Sequence, residues 1–139
     1  FAMSVEKNIA LGGTDIVRRD QLMDKLQITH LAKKKANRLS GGETARMALA
    51  RVFMKSFDVL ILDEPTRGID VGAKYEIYCI INEMVAKGKS VIMISSEMPE
   101  LLGMCDRIYV MNEGRMIAEM DGKEATQEKI MAEIINSGK

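Results

Sequence analysis

Two adjacent carboxylates at the end of an apolar run are the residues of this sequence best suited to chemistry. The run from Val59 to Leu62 is followed directly by Asp63 and Glu64. A continuous apolar run predicts a buried strand, and acids at its carboxyl end would lie at the edge of a sheet. There they could hold a hard cation and polarise a water molecule. The alternative is a buried strand that ends in a solvated acidic turn.

A second candidate site is the segment Ser40-Gly41-Gly42-Glu43, which precedes an amphipathic pattern. A serine hydroxyl, two glycines that allow close backbone approach and the start of a helix together suit the binding of an anion. The alternative is that Ser40 only caps the helix, and Asp70 could cap the next helix in the same way. We expect both residues to act as caps, whatever else they do.

No phosphate-binding loop of the form Gly-x-x-x-x-Gly-Lys-Ser/Thr occurs in these 139 residues. The nearest match, Gly88-Lys89-Ser90, has Glu83 where the first glycine should stand. It also follows a helical pattern and precedes a strand, whereas the loop must follow a strand and open a helix. We therefore expect Gly88 to end a helix.

Length and composition indicate one intracellular α/β domain at most. The hydrophobic content of 47% is ordinary for a globular protein. No apolar run approaches the roughly 20 residues of a membrane span, and the start lacks the apolar core of a signal peptide. Cys79 and Cys105 have no metal-ligand spacing, which favours a reducing compartment.

Charge is unevenly distributed although the net charge is zero. Residues 1–57 carry 11 Lys and Arg against 5 acids, and residues 58–139 carry 9 against 15. A basic half could face nucleic acid. However, Lys33 to Lys35 lie in a polar segment without interleaved aromatic residues that could stack on bases, so we expect a solvated connector. The only histidine, His30, precedes this connector and is expected at the surface.

Hydrophobic periodicity predicts alternating strands and helices. The pattern is typical of a parallel sheet with right-handed crossovers. The predicted helices are a short opening helix with Val5 and Ile9, then Arg18–Leu26, Gly42–Lys55, Val71–Ala86, a short helix from Pro99, and Thr126–Asn136. The predicted strands are Val59–Leu62, Ser90–Ser95, Arg107–Met111 and Arg115–Met120. The predicted inward stripes are Ala45, Ala48, Leu49, Val52 and Phe53, and Ile77, Ile80, Ile81, Met84 and Val85.

Residues 39–43 and 59–66 together resemble the signature motif and the Walker B motif of ATP-binding cassette (ABC) ATPases. Residues 59–119, above all 62–78 and 94–102, are similar to the second ATPase domain of monosaccharide ABC importers of the ribose, galactose and xylose type. Residues 43–46, Glu-Thr-Ala-Arg, depart from the Asn-Gln-Gln-Lys usual in that subfamily. Residues 3–35 match the helical region before the signature only loosely.

The resemblance implies the α/β fold of P-loop NTPases, a parallel sheet flanked by helices, truncated at its N-terminal side and without the Walker A strand. Residues 1–38 would be part of the helical subdomain and a connector. Residues 39–139 would be the signature helix and the C-terminal part of the ATPase core. Without the Walker A strand, we expect the second and third strands either to pair directly or to leave edges through which the chain associates.

The resemblance also implies roles for the candidate residues. Asp63 would orient Mg²⁺, and Glu64 would be the general base. The signature would contact the γ-phosphate of ATP bound to a second ABC ATPase domain, and Asp70 would belong to the D-loop at the dimer interface. The signature residues are Ser40, Gly41, Gly42 and Glu43.

Ser96 occupies the position at which the family usually has a histidine that senses the γ-phosphate. A serine can form a hydrogen bond with phosphate but cannot carry positive charge to a developing anion. The second ATPase domain of sugar importers is commonly degenerate here. We therefore treat Ser96 as a degenerate catalytic position and expect slow turnover even in a complete assembly.

The implied cofactors are ATP and Mg²⁺ in a complete ATPase dimer, since the chain alone is not expected to hydrolyse ATP. The implied partners are a second ABC ATPase domain, membrane permease subunits and, indirectly, a periplasmic or extracellular sugar-binding protein, but no nucleic acid. The location would be peripheral, at the cytoplasmic face of the membrane. Two alternatives are a non-transport ABC protein that acts on the ribosome or nucleic acid, and a non-enzymatic remnant that serves only in assembly.

Overall fold

The computed structural model describes residues 3–138, which form two compact units divided between Ile92 and Met93. Short 3-10 turns occupy Thr29–Leu31 and Ala36–Arg38. The helices are α1 Val5–Ala10, α2 Ile16–Lys25, α3 Gly41–Phe53, α4 Val71–Ala86, α5 Met98–Met104 and α6 Gln127–Ser137, and the strands are β1 Val59–Asp63, β2 Ser90–Ile94, β3 Arg107–Asn112 and β4 Arg115–Asp121. All the predicted elements are present, with boundaries that differ by at most two residues.

Helix α3 is held on two sides in the first unit. Helices α1 and α2 both pack against it. The Arg51 guanidinium donates to Asn8 Oδ1 on α1 at 3.0 Å, and the Arg18 guanidinium on α2 donates to the carbonyl of Phe53 at 2.7 Å. Partly buried hydrogen bonds from charged donors are stronger than those between neutral groups, so these two contacts help to hold the helices together. The C-terminal end of α3 is therefore anchored to α1 and α2.

The buried face of α3 differs from the predicted stripe. Leu49 and Phe53 are buried as expected, but Met47 and Ala50 complete the buried face. The predicted members Ala45, Ala48 and Val52 are only half-buried. The reason is that α1 and α2 contact the helix from two directions, so the buried surface is wider than one periodic stripe.

Helix α4 begins and ends at the predicted residues. Asp70 caps its start, since its carboxylate accepts the Ala73 N–H at 3.0 Å. At its end Gly88 has φ +80°, its N–H donates to Val85 O at 2.8 Å, and the Lys89 N–H donates to Met84 O at 3.1 Å. This pair of bonds is a Schellman motif, which confirms that Gly88 ends a helix. The prediction that Val85 points inward was wrong, since it is 43% exposed.

Strands β1 and β2, which α4 connects, lie side by side in a two-stranded parallel sheet. Burial alternates along β1, with Leu60 and Leu62 buried. The opposite face is apolar but open, because Val59, Ile61 and Ile92 are each more than half exposed. The expected direct pairing of β2 with β3 is not found within residues 3–138, since β3 pairs only with β4. The alternative, association through exposed edges, stays a prediction.

The second unit is built on an antiparallel hairpin. Strands β3 and β4 are joined at Glu113 and Gly114, both with positive φ, the geometry of a type I′ turn. The buried residues Ile108 and Val110 of β3 pack with Ile130 of α6.

Among the helices within residues 3–138, none is long and apolar enough to cross a bilayer. The sequence also predicts a boundary between a helical subdomain, residues 1–38, and the ATPase core, residues 39–139. That boundary is not the division between the two units, and it stays a prediction.

Candidate functional site

The start of α3 is a complete capping box. The Ser40 hydroxyl accepts the Glu43 N–H at 3.3 Å, and the Glu43 carboxylate accepts the Ser40 N–H at 2.7 Å. The expectation that Ser40 caps this helix is thus confirmed. Because the first N–H groups of a helix have no acceptor within it, those of Gly41 and Gly42 remain available to an external anion.

The two glycines of this turn have different surroundings. A Cβ at Gly41 would meet no atom within 4 Å, so one side of the turn is open. A Cβ at Gly42 would lie 3.1 Å from the carbonyl oxygen of Gly68, which is tight for a carbon to oxygen contact. Gly42 therefore lets the start of α3 approach the segment that follows Glu64, and Gly41 keeps the outer surface of the turn accessible.

A lysine forms an ion pair with the carboxylate of the capping box and balances its charge. Lys34 Nζ lies 3.3 Å and 3.2 Å from the two carboxylate oxygens of Glu43. The Ser40 N–H and the Lys34 ammonium together hold the pKa of Glu43 below its ordinary value. Glu43 is therefore ionised at neutral pH, and its charge is balanced by Lys34.

The acidic tip of β1 is followed by a tight turn. Asp63 is exposed and Glu64 is half-buried with φ +47°, a left-handed conformation that a non-glycine residue rarely adopts. The Arg67 N–H donates to Glu64 O at 3.2 Å, and the Ile69 N–H donates to the carbonyl of Thr66 at 3.1 Å. Because strained backbone of this kind persists only where its surroundings enforce it, the backbone of Glu64 is held in one conformation by the turn.

Asp70 connects this turn to α3 as well as capping α4. Its second carboxylate oxygen lies 3.7 Å from Nη1 of Arg46, a side chain that is only 14% exposed. Together with the approach of Gly42 to Gly68, this ion pair joins the start of α3 to the segment after β1. The structure therefore brings the glycine turn and the Asp70 segment together in the first unit.

Sequence reasoning missed Lys34 and Arg46 as members of the site. The sequence predicts that Lys34 lies in a solvated connector, and it distinguishes Arg46 only as part of a tetrapeptide that departs from the subfamily. The only available signals were a basic residue shortly before the glycine turn and one helical turn after it, and neither identifies its acidic partner. Ser96 belongs to the second unit, two residues after the end of β2, and is exposed. His30 is exposed, as expected.

The residues fit nucleotide and magnesium only together with groups from elsewhere. Within residues 3–138 no cluster of three His, Cys, Asp or Glu could hold a metal ion. Asp63 is a hard oxygen ligand, so a Mg²⁺ ion there would need phosphate and water oxygens to complete its coordination. The open turn at Gly41 suits a phosphate group, but the sequence has no Gly-x-x-x-x-Gly-Lys-Ser/Thr loop to enclose one.

The α/β fold, with an exposed glycine turn at the start of α3 and an acidic end on β1, is that of the ATPase domains of the ABC class. Residues 2–67 match the family model described as ABC transporter. Residues 2–67 therefore belong to this family.

Curated relatives narrow the comparison to sugar import proteins. The chain is 53% identical to the L-arabinose transport ATP-binding protein AraG of Geobacillus stearothermophilus, over 84% of this chain and 23% of that protein. It is 50% identical to the xylose import ATP-binding protein XylG of Moorella thermoacetica, over 90% of this chain and 25% of that protein. The chain thus spans about a quarter of the length of the curated relatives it matches.

Solved structures have the same fold. CbiO1 from Clostridium perfringens, part of the ABC transporter complex cbiONQ, is 32% identical with a TM-score of 0.71, over 99% of this chain and 58% of that chain. The ATP binding subunit of an ABC transporter has a TM-score of 0.82 at 17% identity, over 96% of this chain and 62% of that one. The second comparison shows the fold alone.

Proposed function

We propose that this chain is part of the ATP-binding, energy-coupling component of a carbohydrate ABC import system. The chain would contribute the signature, the Walker B acids, the D-loop and a degenerate H-loop to the sites that bind and hydrolyse ATP. The observation that carries the proposal is the open turn at the start of α3, where the N–H groups of Gly41 and Gly42 have no acceptor within the helix. The similarity to sugar import proteins supports the substrate class.

In this proposal the turn contacts ATP that a second ABC ATPase domain holds. Ser40, Gly41 and Gly42 would face the γ-phosphate, with Glu43 holding the turn in its helical geometry. The two glycines admit the phosphate at close range, and the positive end of the helix dipole favours its charge. Asp70, exposed and anchored to α4, would meet the second domain as part of the D-loop.

The acids at the end of β1 would act on Mg²⁺ and water. Asp63 would orient the metal ion, which would neutralise charge on the phosphate oxygens. Glu64, which follows Asp63 in the turn after β1, would accept the proton of the attacking water. Ser96 would take the place of the usual histidine and could donate a neutral hydrogen bond only, which makes this a slow catalytic site.

The wider assembly would place this component peripherally at the cytoplasmic face of the membrane. Its partners would be permease subunits and, through them, a sugar-binding protein outside the membrane. Residues 1–38 would belong to the helical subdomain and connector, and residues 39–139 to the signature helix and the ATPase core. The energy of ATP binding would reach the permease only through the complete pair of ATPase domains.

A complementation experiment tests the proposal. An intact ABC ATPase domain of the same family, with its own signature serine replaced by arginine, is mixed with this chain, and phosphate release is measured. We expect the chain to restore ATP hydrolysis in a concentration-dependent way, and Ser40→Arg to abolish the effect by blocking the turn. A wild-type chain that restores nothing, or a Ser40→Arg chain that works equally well, would contradict the proposal.

Calorimetry with Mg-ATP on the chain alone is a second test. A phosphate loop binds nucleotide mainly through backbone N–H groups and a lysine on the β- and γ-phosphates, and this sequence has no such loop. We expect no 1:1 complex tighter than about 10 μM, equivalent to roughly −7 kcal/mol. A tighter complex would show that the chain holds nucleotide by a different site.

A further inference from the structure

We propose that Lys34 is a positioning residue of the signature turn: by balancing the charge of Glu43, it allows a carboxylate to hold the turn without repelling the phosphate that the turn receives. This inference rests on the proposed function. It concerns a residue outside the signature itself and a carboxylate at which the chain departs from the Asn usual in the subfamily.

The position of Glu43 makes a counter-ion necessary. Its carboxylate is bound to the Ser40 N–H at 2.7 Å, so it lies within the turn whose free N–H groups would receive the phosphate. Two unit charges about 4 Å apart in water repel each other enough to change an equilibrium about fivefold, and more where water is excluded. An unbalanced Glu43 would therefore oppose the anion that the helix dipole attracts.

The contact between Lys34 and Glu43 is close and partly shielded from water. Both carboxylate oxygens of Glu43 lie within 3.3 Å of Lys34 Nζ. The side chains of Lys34 and Glu43 are 37% and 19% exposed, so the pair is screened less than a fully solvated ion pair. The ammonium of Lys34 thus offsets the carboxylate where a phosphate would approach.

The backbone of the connector holds Lys34 in place. The carbonyl of Lys34 accepts the Val5 N–H at 3.0 Å, and its own N–H donates to the carbonyl of Leu31 at 2.8 Å. An isolated antiparallel bridge joins Ser4 to Lys35 next to it. Because both neighbouring segments are anchored, the Lys34 side chain starts from a fixed point and loses less conformational entropy when it pairs.

The neighbouring Lys33 provides a matched control. Its side chain is 86% exposed and pairs with Glu6 at 2.8 Å, on the side of α1. Lys33→Met removes the same charge one residue away without touching Glu43. Any effect of Lys34→Met that Lys33→Met shares would come from the overall charge of the connector.

A double-mutant cycle in the complementation assay tests the inference. The half-saturating concentration of the chain is measured for wild type, Lys34→Met, Glu43→Gln, the double variant and Lys33→Met, with Mg-ATP as the nucleotide. We expect Lys34→Met to raise this concentration about fivefold when Glu43 is present and less than about twofold in the Glu43→Gln background. Lys34→Arg, which keeps the charge, should restore most of the loss, and Lys33→Met should have no effect.

Other outcomes would overturn the inference. An equal loss from Lys34→Met in both backgrounds would show that Lys34 acts by itself or supports the fold, and no loss would show that its charge is not needed. Thermal melts identify a variant that fails to fold. If Lys34→Met does not fold, the pKa of Glu43 is measured by NMR in Lys34→Gln instead. A pKa unchanged from wild type would refute the charge balance. A wild-type chain without complementation would instead refute the proposed function, and this role with it.

Discussion

The open face of the β1 and β2 sheet should drive self-association of the isolated chain. Val59, Ile61 and Ile92 are 56%, 64% and 52% exposed, although strands of a parallel sheet are normally covered on both faces. Apolar surface of this kind is favourably removed from water. We therefore expect the chain to associate reversibly, and the triple variant Val59→Thr, Ile61→Thr, Ile92→Thr to remain largely monomeric.

The exposed fractions set the size of the effect. Burying a Val or Ile side chain completely contributes about 1.5–3 kcal/mol. Because a little more than half of each side chain is exposed, covering all three would contribute about 3–5 kcal/mol per copy. Loss of rotational and translational freedom opposes association by about 4–15 kcal/mol, so the wild-type dimer should be weak. Removing half or more of this contribution, about 3 kcal/mol or more over the two copies, should raise the dimer Kd at least about 100-fold.

Sedimentation velocity over roughly 1–200 μM chain measures this association over the range expected for a weak complex. Val71→Thr is the matched control, since Val71 is 85% exposed but lies at the start of α4, outside the sheet. It should associate like wild type. A wild-type chain with monomer mass at every concentration, or a triple variant that associates as strongly as wild type, would refute the reasoning.

Three further predictions concern single residues of the site. Glu64→Gly should raise the Tm, because glycine adopts φ +47° without the steric cost that Glu64 bears, and a lower Tm would show that contacts of the Glu64 side chain outweigh that cost. The Ser40 N–H and Lys34 lower the pKa of Glu43, so the stability it contributes is present above its ordinary pKa and is lost as pH falls through the lowered value. In thermal melts, the Tm difference between wild type and Glu43→Gln should thus stay constant down to about pH 5 and shrink below about pH 4. A Tm difference that does not depend on pH would contradict the charge assigned to Glu43. In a complete assembly, Ser96→His should raise kcat by up to about 10²–10³ and leave nucleotide affinity within about threefold, and an unchanged kcat would place the degeneracy at another residue.

Local patterns in the sequence were sufficient for the elements and their ends. Helix α4 runs from Val71 to Ala86 as predicted, because the Asp70 cap and the Gly88 terminator act through backbone bonds within a few residues. The apolar run before Asp63 forms a strand for the same kind of reason, since alternation and composition are local properties. The capping role of Ser40 was predictable on the same basis.

The directions in which side chains face were decided by tertiary structure. Val85 fits the inward stripe of α4 by periodicity, yet it is exposed near the C-terminal end of the helix. Met47 is buried although it lies outside the predicted stripe of α3, since both α1 and α2 pack on that helix. Periodicity gives one face of a helix, but the number of neighbours determines how wide that face is.

The sequence by itself determined the family, the helix caps and the position of the acidic and glycine-rich segments along the chain. Only the tertiary structure decided which charges meet: Lys34 with Glu43, and Arg46 with Asp70. Opposite charges are abundant in any such sequence, and nothing in their spacing selects one pair from the others. The selection comes from folding, which fixes the two backbones so that particular side chains come within a few ångströms, where Coulomb attraction is strong enough to matter.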